Sequence, residues 1–257
     1  MWTITDLKKR ASRLLKDEYR MNIIICVLIG ILYIIRINIR YRYNFEKPID
    51  NYNDIFNYVN EYRQNRNTTE AGFSNLLFVL NILFNIFVIA IFKLGYQVFL
   101  LSSRIRKTKI KAVIYGFKNR YLHNVFVLFF VKLVVFFWSL IFIVPGIIKS
   151  LEYRFVEYIL AENPKLSRKR AMELSKEMMK GEKLNAFVLD LSFIGWFLLG
   201  VCTCGIVYLL YYMPYRYNTN AELYIALRRK AIGNGITTEA ELGSIENDDA
   251  LERKAIK

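Results

Sequence analysis

Asp190, Glu157, Lys93, Arg154 and Arg216 are ionisable residues set inside stretches that are otherwise strongly apolar. An unpaired charge at the centre of a bilayer costs at least about 2.5 kcal/mol, so groups placed this way pair, snorkel or border a wet cavity. Asp190 and Glu157 stand about one and a half helical turns from one end of their segments, and Lys93, Arg154 and Arg216 roughly two to three turns in, so the five can meet at one depth. Tyr96, Gln97, Ser192, Tyr215 and Asn218 complete a polar pocket at that level. The chemistry this set supports is recognition: Arg and Tyr side chains hold an anionic headgroup while the carboxylates orient the guanidinium groups. A structural alternative uses the same residues, with Asp190 and Glu157 pairing with Arg154, Arg216 or Lys93 to fix helix register. A third reading makes the chain a small proton- or cation-coupled transporter or channel, in which the two carboxylates bind the ion and Pro214 is the hinge.

Catalytic constellations are scarce. The one histidine, His123, adjoins Arg120 and Tyr121 at the start of an apolar run and reads as an interfacial polar residue. Cys26, Cys202 and Cys204 have neither zinc spacing nor a histidine partner. Neither a GxSxG elbow, a Walker loop nor an HExxH helix occurs. The expectation is therefore a binding protein that is not an enzyme, with no catalytic residues, metal ligands or cofactor.

Six segments must position the pocket: 21–39, 73–101, 122–144, 147–162, 185–200 and 206–227. Most reach the length of about 20 apolar residues that crosses a hydrocarbon layer. The segment 147–162 is shorter and more charged, with Lys149–Glu152 and Arg154–Glu157 three residues apart and able to neutralise each other. It is either a thin span with its charges turned inward or an interfacial helix, and the span is preferred because Pro145 would otherwise turn the chain at the wrong face of the membrane.

The chain has 37 Lys and Arg against 22 Asp and Glu in 257 residues. The bases cluster beside the apolar segments, in 1–20, 102–121 and 165–183, while 40–72 balances its acids and bases. By the positive-inside rule the basic segments face the cytoplasm and 40–72 is an external loop. Both termini are then cytoplasmic, with a loosely ordered tail over 231–257. Basic clusters bordering spans point to membrane lipids of an anionic inner leaflet, or a partner protein, and away from nucleic acid. The first apolar segment lacks a small-residue cleavage site and is expected to stay as a span. Thr3–Arg20 and Arg168–Lys180 have the spacing of amphipathic helices lying on the inner membrane surface. The fold class is all-α: a polytopic membrane protein of about six transmembrane helices and two cytoplasmic amphipathic surface helices, in a single domain over 1–230.

Lys9, Arg10, Ala11, Leu14 and Lys16 recur in the same spacing as Lys169, Arg170, Ala171, Leu174 and Lys176, and Gly95-Tyr96 has a counterpart in Pro214-Tyr215. The echo suggests two related units, each a surface helix followed by a helical hairpin.

The chain also resembles a known family, through Pro145-Gly146-Ile147-Ile148, Glu162-Asn163-Pro164, Ser175, Gly181, Leu191-Ser192-Phe193-Ile194-Gly195-Trp196 and Pro214-Tyr215 with Ala221 and Tyr224. Asp6-Leu7-Lys8 with Ala11 also fits. These residues resemble domain-of-unknown-function family 975, uncharacterised integral membrane proteins of low-GC Gram-positive bacteria. The resemblance implies a multi-pass protein of the bacterial plasma membrane, distantly similar to the membrane domain of some glycerophosphodiester phosphodiesterases. It implies no activity, because the soluble phosphodiesterase domain has no counterpart here.

Overall fold

Thr3 opens the first helix, α1 (Ile4–Asp17): its side chain accepts a hydrogen bond from the Asp6 N–H and so satisfies one of the free donors of the first turn. In the computed structural model, which describes residues 2–41, 84–104, 110–114 and 120–242, the described chain is helix and turn, with no strand among the described residues. Leu7, Ala11 and Leu15 repeat at four-residue spacing and are buried. They pack against α10 (Met213–Gly233), the last long helix.

The chain runs from α1 into α2 (Tyr19–Tyr41). A π-helical turn, Asn85–Ile89, leads into α3 (Ala90–Ser102), which is enclosed on nearly every side: Leu94, Tyr96, Gln97, Phe99 and Leu100 are all buried. Gly95 is required there. A Cβ on it would lie 1.8 Å from the Val113 carbonyl oxygen of the 3-10 turn Ile110–Ile114, so only a hydrogen fits between the two backbones.

Helices α4 (Tyr121–Ile141) and α5 (Ile143–Glu152) form a hairpin that turns at the extended residue Phe142. The sequence predicts the break at Pro145-Gly146, but it falls three residues earlier. Pro145 sits in the first turn of α5, where its missing N–H has no helical partner to lose. Gly146 lets α5 approach α4, since a Cβ would come within 2.2 Å of Ser139 Oγ. The single helix expected over 147–162 is likewise two pieces, α5 and α6 (Val156–Glu162), separated by turns at Tyr153–Phe155.

Ser167 caps α7 (Arg168–Met178), accepting from the Arg170 N–H. After Gly181, at φ +80°, come α8 (Lys183–Leu191) and α9 (Ile194–Cys202), with a tight step at Ser192-Phe193. A second π-helical turn, Tyr208–Tyr212, precedes α10, and a short α11 (Glu239–Leu242) closes the described chain. Helix α3 packs against α6, and α10 contacts α1, α2, α3 and α7.

The two amphipathic helices differ from expectation in what covers their apolar stripes. In α7, Ala171, Leu174, Ser175 and Met178 are buried against α6 and α10, as the α1 stripe is against α10. The stripes are protein contacts, and the charged residues, acids such as Asp6, Asp17 and Glu173 among them, face outward. Periodicity cannot make this distinction, because an apolar stripe has the same spacing whether lipid or protein meets it. The two echoing segments are α1 and α7, and their alanines, Ala11 and Ala171, are both fully buried.

Two helical segments, Tyr121–Ile141 and Lys183–Cys202, are long and apolar enough to cross a membrane. Only 22% of each apolar window is buried, which is the reverse of a soluble core helix. Phe136, Phe137, Leu140 and Ile141 on α4, and Leu198, Leu199 and Val201 on α9, are exposed. Of the six segments read from the sequence, 122–144 and 185–200 correspond to these two helices. Tyr19–Leu32, within α2, and Ile86–Ser102, which runs from the first π-helical turn through α3, are shorter apolar stretches. The segments 147–162 and 206–227 are interrupted, and 42–83 and 243–257, which hold most of the expected loop, the start of the second span and the end of the tail, lie outside the described residues.

Candidate functional site

Helix interruptions and isolated charges coincide. Arg154 lies in the turn between α5 and α6, Asp190 two residues before the step between α8 and α9, Arg216 one turn past the second π-helical turn, and Lys93 one turn past the first. Irregular backbone in apolar surroundings is tolerated where it is buried in protein or lines a cavity, and π-helical turns concentrate at functional sites. The break beside Arg154 is secured from a distance. Ser175, fully buried on α7, donates through Oγ to the Glu152 carbonyl (2.7 Å) and accepts from the Phe155 N–H (3.1 Å), satisfying two backbone groups that the interrupted helix leaves open.

A cavity of about 620 Å³ opens between α3, α4, α6, α8 and α10. Arg154 donates to both carboxylate oxygens of Asp190, each at 2.9 Å, and also to Asn220 Oδ1. Arg216 reaches the same carboxylate at 3.3 Å and the Tyr212 hydroxyl at 2.9 Å. Gln97 Nε2 donates to Glu157 Oε2 at 3.5 Å. The wall carries four bases, Lys93, Lys132, Arg154 and Arg216, against two acids, Glu157 and Asp190, which leaves an excess of positive charge. The α4 side is largely apolar, with Leu128, Val131, Val135 and Phe136, and Phe136 is 61% exposed on the outer surface of that helix. The α4 side also carries Lys132, so that wall is apolar with one cation set in it.

Six residues of the predicted pocket line this cavity: Lys93, Gln97, Arg154, Glu157, Asp190 and Arg216. Two others belong to a different buried set. The Tyr96 hydroxyl donates to Asn22 Oδ1 (2.8 Å), Asn218 Nδ2 donates to the same oxygen (3.1 Å), and Cys26 Sγ donates to the Tyr96 hydroxyl (3.7 Å). This cluster joins α2, α3 and α10. Ser192 turns its hydroxyl onto the Leu189 carbonyl, and its own carbonyl accepts from Lys8 Nζ at 3.1 Å. The Tyr215 ring packs edge-on against Phe193 at 5.3 Å. Within the helix carrying Lys149, the expected pairing with Glu152 is formed at 2.6 Å, with Lys183 on the other carboxylate oxygen. Arg154 instead turns away from Glu157 to Asp190.

Sequence reading passed over Lys132, Tyr158, Tyr212 and Asn220, all on the wall. All four carry a signal: Tyr158 is four residues after Arg154, and Tyr212 and Asn220 flank Arg216 at the same interval, so each of these three shares a helix face with a residue already chosen. Lys132 is a lone charge in a long apolar run, the criterion that selected Lys93. His123 has a structural role, its Nε2 donating to the Leu166 carbonyl at 2.9 Å and so tying α4 to the segment before α7.

Residues 141–231 match a family model described as protein of unknown function (DUF975), which supports that family for this part of the chain. The match contains Arg154, Glu157, Asp190 and Arg216, while Lys93, Gln97, Lys132 and the Asp6-Leu7-Lys8 opening fall outside it. No curated protein and no solved structure matches the chain.

Proposed function

We propose that this chain is a multi-pass protein of the bacterial plasma membrane, with about six spans and both termini cytoplasmic, that binds an anionic lipid or similar amphipathic anion without catalysing a reaction. The observation that carries this reading is the pairing of walls in the cavity. Lys93 on α3, Arg154 in the turn before α6 and Arg216 on α10 confront the inner side of α4, where Leu128, Val131 and Val135 accompany Lys132, and the outer side of α4 is apolar and exposed. An amphipathic anion fits both: its headgroup meets Arg154 and Arg216, and its chains follow α4 outward. Asp190 then acts as the orienter of the two guanidinium groups. The outward-facing bases of α1 and α7 add attraction to an anionic inner leaflet or to an acidic partner protein.

The test is native mass spectrometry of the purified protein. The parent should retain a phospholipid that Arg216→Ala loses; equal retention in both counts against the reading.

A second reading is favoured by the interruptions themselves. Discontinuous helices placing charges at one depth are the pattern of ion-coupled transport sites. Under that reading reconstituted vesicles show a pH-dependent flux that Asp190→Asn abolishes, and absence of flux in the parent removes it.

A further inference from the structure

The far end of the α4–α5 hairpin has no protein around it. Leu140, Ile141, Phe142, Ile143 and Val144 at its turn are 62–76% exposed, and no charged residue occurs between Lys132 on α4 and Lys149 on α5. The only hydroxyl in that stretch, on Ser139, donates to the Val135 carbonyl at 2.8 Å. All the fully buried residues of α4, Asn124, Val125, Val127 and Leu128, precede Lys132. The turn itself leaves few backbone groups open: the Phe142 N–H donates to the Trp138 carbonyl, the Phe142 carbonyl accepts from the Gly146 N–H, and Pro145 has no N–H to satisfy. An uncharged, exposed tip of this kind calls for an apolar solvent.

Both limbs of the hairpin are pinned to the basic segment 165–183. On α4, the Arg168 guanidinium lies 3.9 Å from the centre of the Phe130 ring. On α5, Glu152 accepts from Lys183 Nζ at 2.5 Å. The neighbouring Glu182 accepts from Lys230 Nζ at 2.6 Å and from the Trp2 indole at 3.2 Å, which brings the start of the described chain and the end of α10 to the same place. Phe142 is twelve residues from Phe130 and ten from Glu152. The rise is then about 18 Å on one limb and about 15 Å on the other, against a hydrocarbon layer roughly 30 Å thick.

We propose that the α4–α5 hairpin is a re-entrant wedge, which enters the bilayer from the inner face, turns at Phe142 among the acyl chains near the midplane and returns to the same face. The inference rests on the membrane reading, in which 165–183 is cytoplasmic, and it refines the count of crossings: 122–144 and 147–162 together make one half-crossing, and no loop changes side. The charges that interrupt these two segments then have a place. Lys132 and Glu152 each lie ten residues from Phe142, at headgroup level, and Lys149 reaches back from nearer the tip to Glu152 at 2.6 Å. The partner of the tip is the acyl-chain region of the inner leaflet.

The experiment places spin labels on the full-length protein in phospholipid vesicles, with Cys202→Ser and Cys204→Ser and the buried Cys26 left as it is. One label is carried by Phe142→Cys, a second by Ile143→Cys and a third by Lys132→Cys. Collisions with oxygen, which concentrates in hydrocarbon, are compared with collisions with a water-soluble nickel chelate present on both sides of the vesicles. The effect of the chelate should be lost at Phe142→Cys and Ile143→Cys while that of oxygen is retained, and the chelate should still reach Lys132→Cys. Contact of the chelate with both tip labels in vesicle-bound protein overturns the wedge, because the turn then emerges into water, and leaves the membrane reading standing. A label at Lys132→Cys as protected as those at the tip overturns the assigned depth. Failure of the parent protein to float with the vesicles overturns both this inference and the membrane reading beneath it.

Discussion

Arg154 and Asp190 meet fork to fork, with both nitrogen–oxygen contacts at 2.9 Å, across the gap between two interrupted helices. The arginine side chain keeps 12% of its surface and the carboxylate 26%, so neither is fully solvated. Removing one member leaves the other charged and poorly compensated. Asp190→Leu should lower stability by about 3 kcal/mol, and the double variant Asp190→Leu/Arg154→Met should recover part of that loss. Thermal unfolding in detergent measures it; a double variant no better than Asp190→Leu would show that the charges are not coupled.

Ser175 serves the same region from α7. Ser175→Ala leaves the Phe155 N–H and the Glu152 carbonyl without that partner, and should cost about 1–3 kcal/mol. Hydrogen exchange distinguishes this from general loosening. Protection should fall first at Tyr153–Val156 and leave α10 unchanged; uniform loss would contradict the assignment.

Glu241 supplies a pH dependence outside the apolar helices. The hydrogen bonds from Arg170 hold its carboxyl below the ordinary carboxylate value, outweighing the opposing effect of burial. A depressed carboxylate contributes stability above its unfolded pKa and loses it as pH falls through the folded pKa. The parent should therefore exceed Glu241→Gln by about 0.5 kcal/mol at neutral pH, and the difference should vanish once the medium is more acidic than the ordinary carboxylate range. A difference that persists in acid would mean that the ion pair is not its source.

Orientation can be read from native thiols. Cys202, at the end of α9, and Cys204, in the turn that follows, are exposed, whereas Cys26 is buried. If that turn is external, a membrane-impermeant maleimide should label intact cells, and Cys202→Ser/Cys204→Ser should remove the signal. Labelling that requires permeabilised cells would reverse the proposed topology.

The charged members of the cavity were legible in the sequence because a carboxylate or guanidinium inside an apolar run has few tolerable destinations. Tyr96 and Asn218 were legible as buried and polar, but not as partners of Asn22, which lies over seventy residues from the nearer of them. The break at Tyr153–Phe155 carries neither Gly nor Pro, and what secures it is a hydroxyl about twenty residues downstream. Local pattern rules have no access to such long-range satisfaction, which is also why the stripes of α1 and α7 read as lipid-facing.

The docking of α1 on α10 sets an order of events during synthesis. Because α10 begins only at Met213, Leu7, Ala11 and Leu15 of α1 are made well before their seat. Until then the stripe lacks the protein surface that covers it in the folded chain. Helix α1 thus completes its packing only once α10 has been made, so the two ends of the described chain close the bundle together.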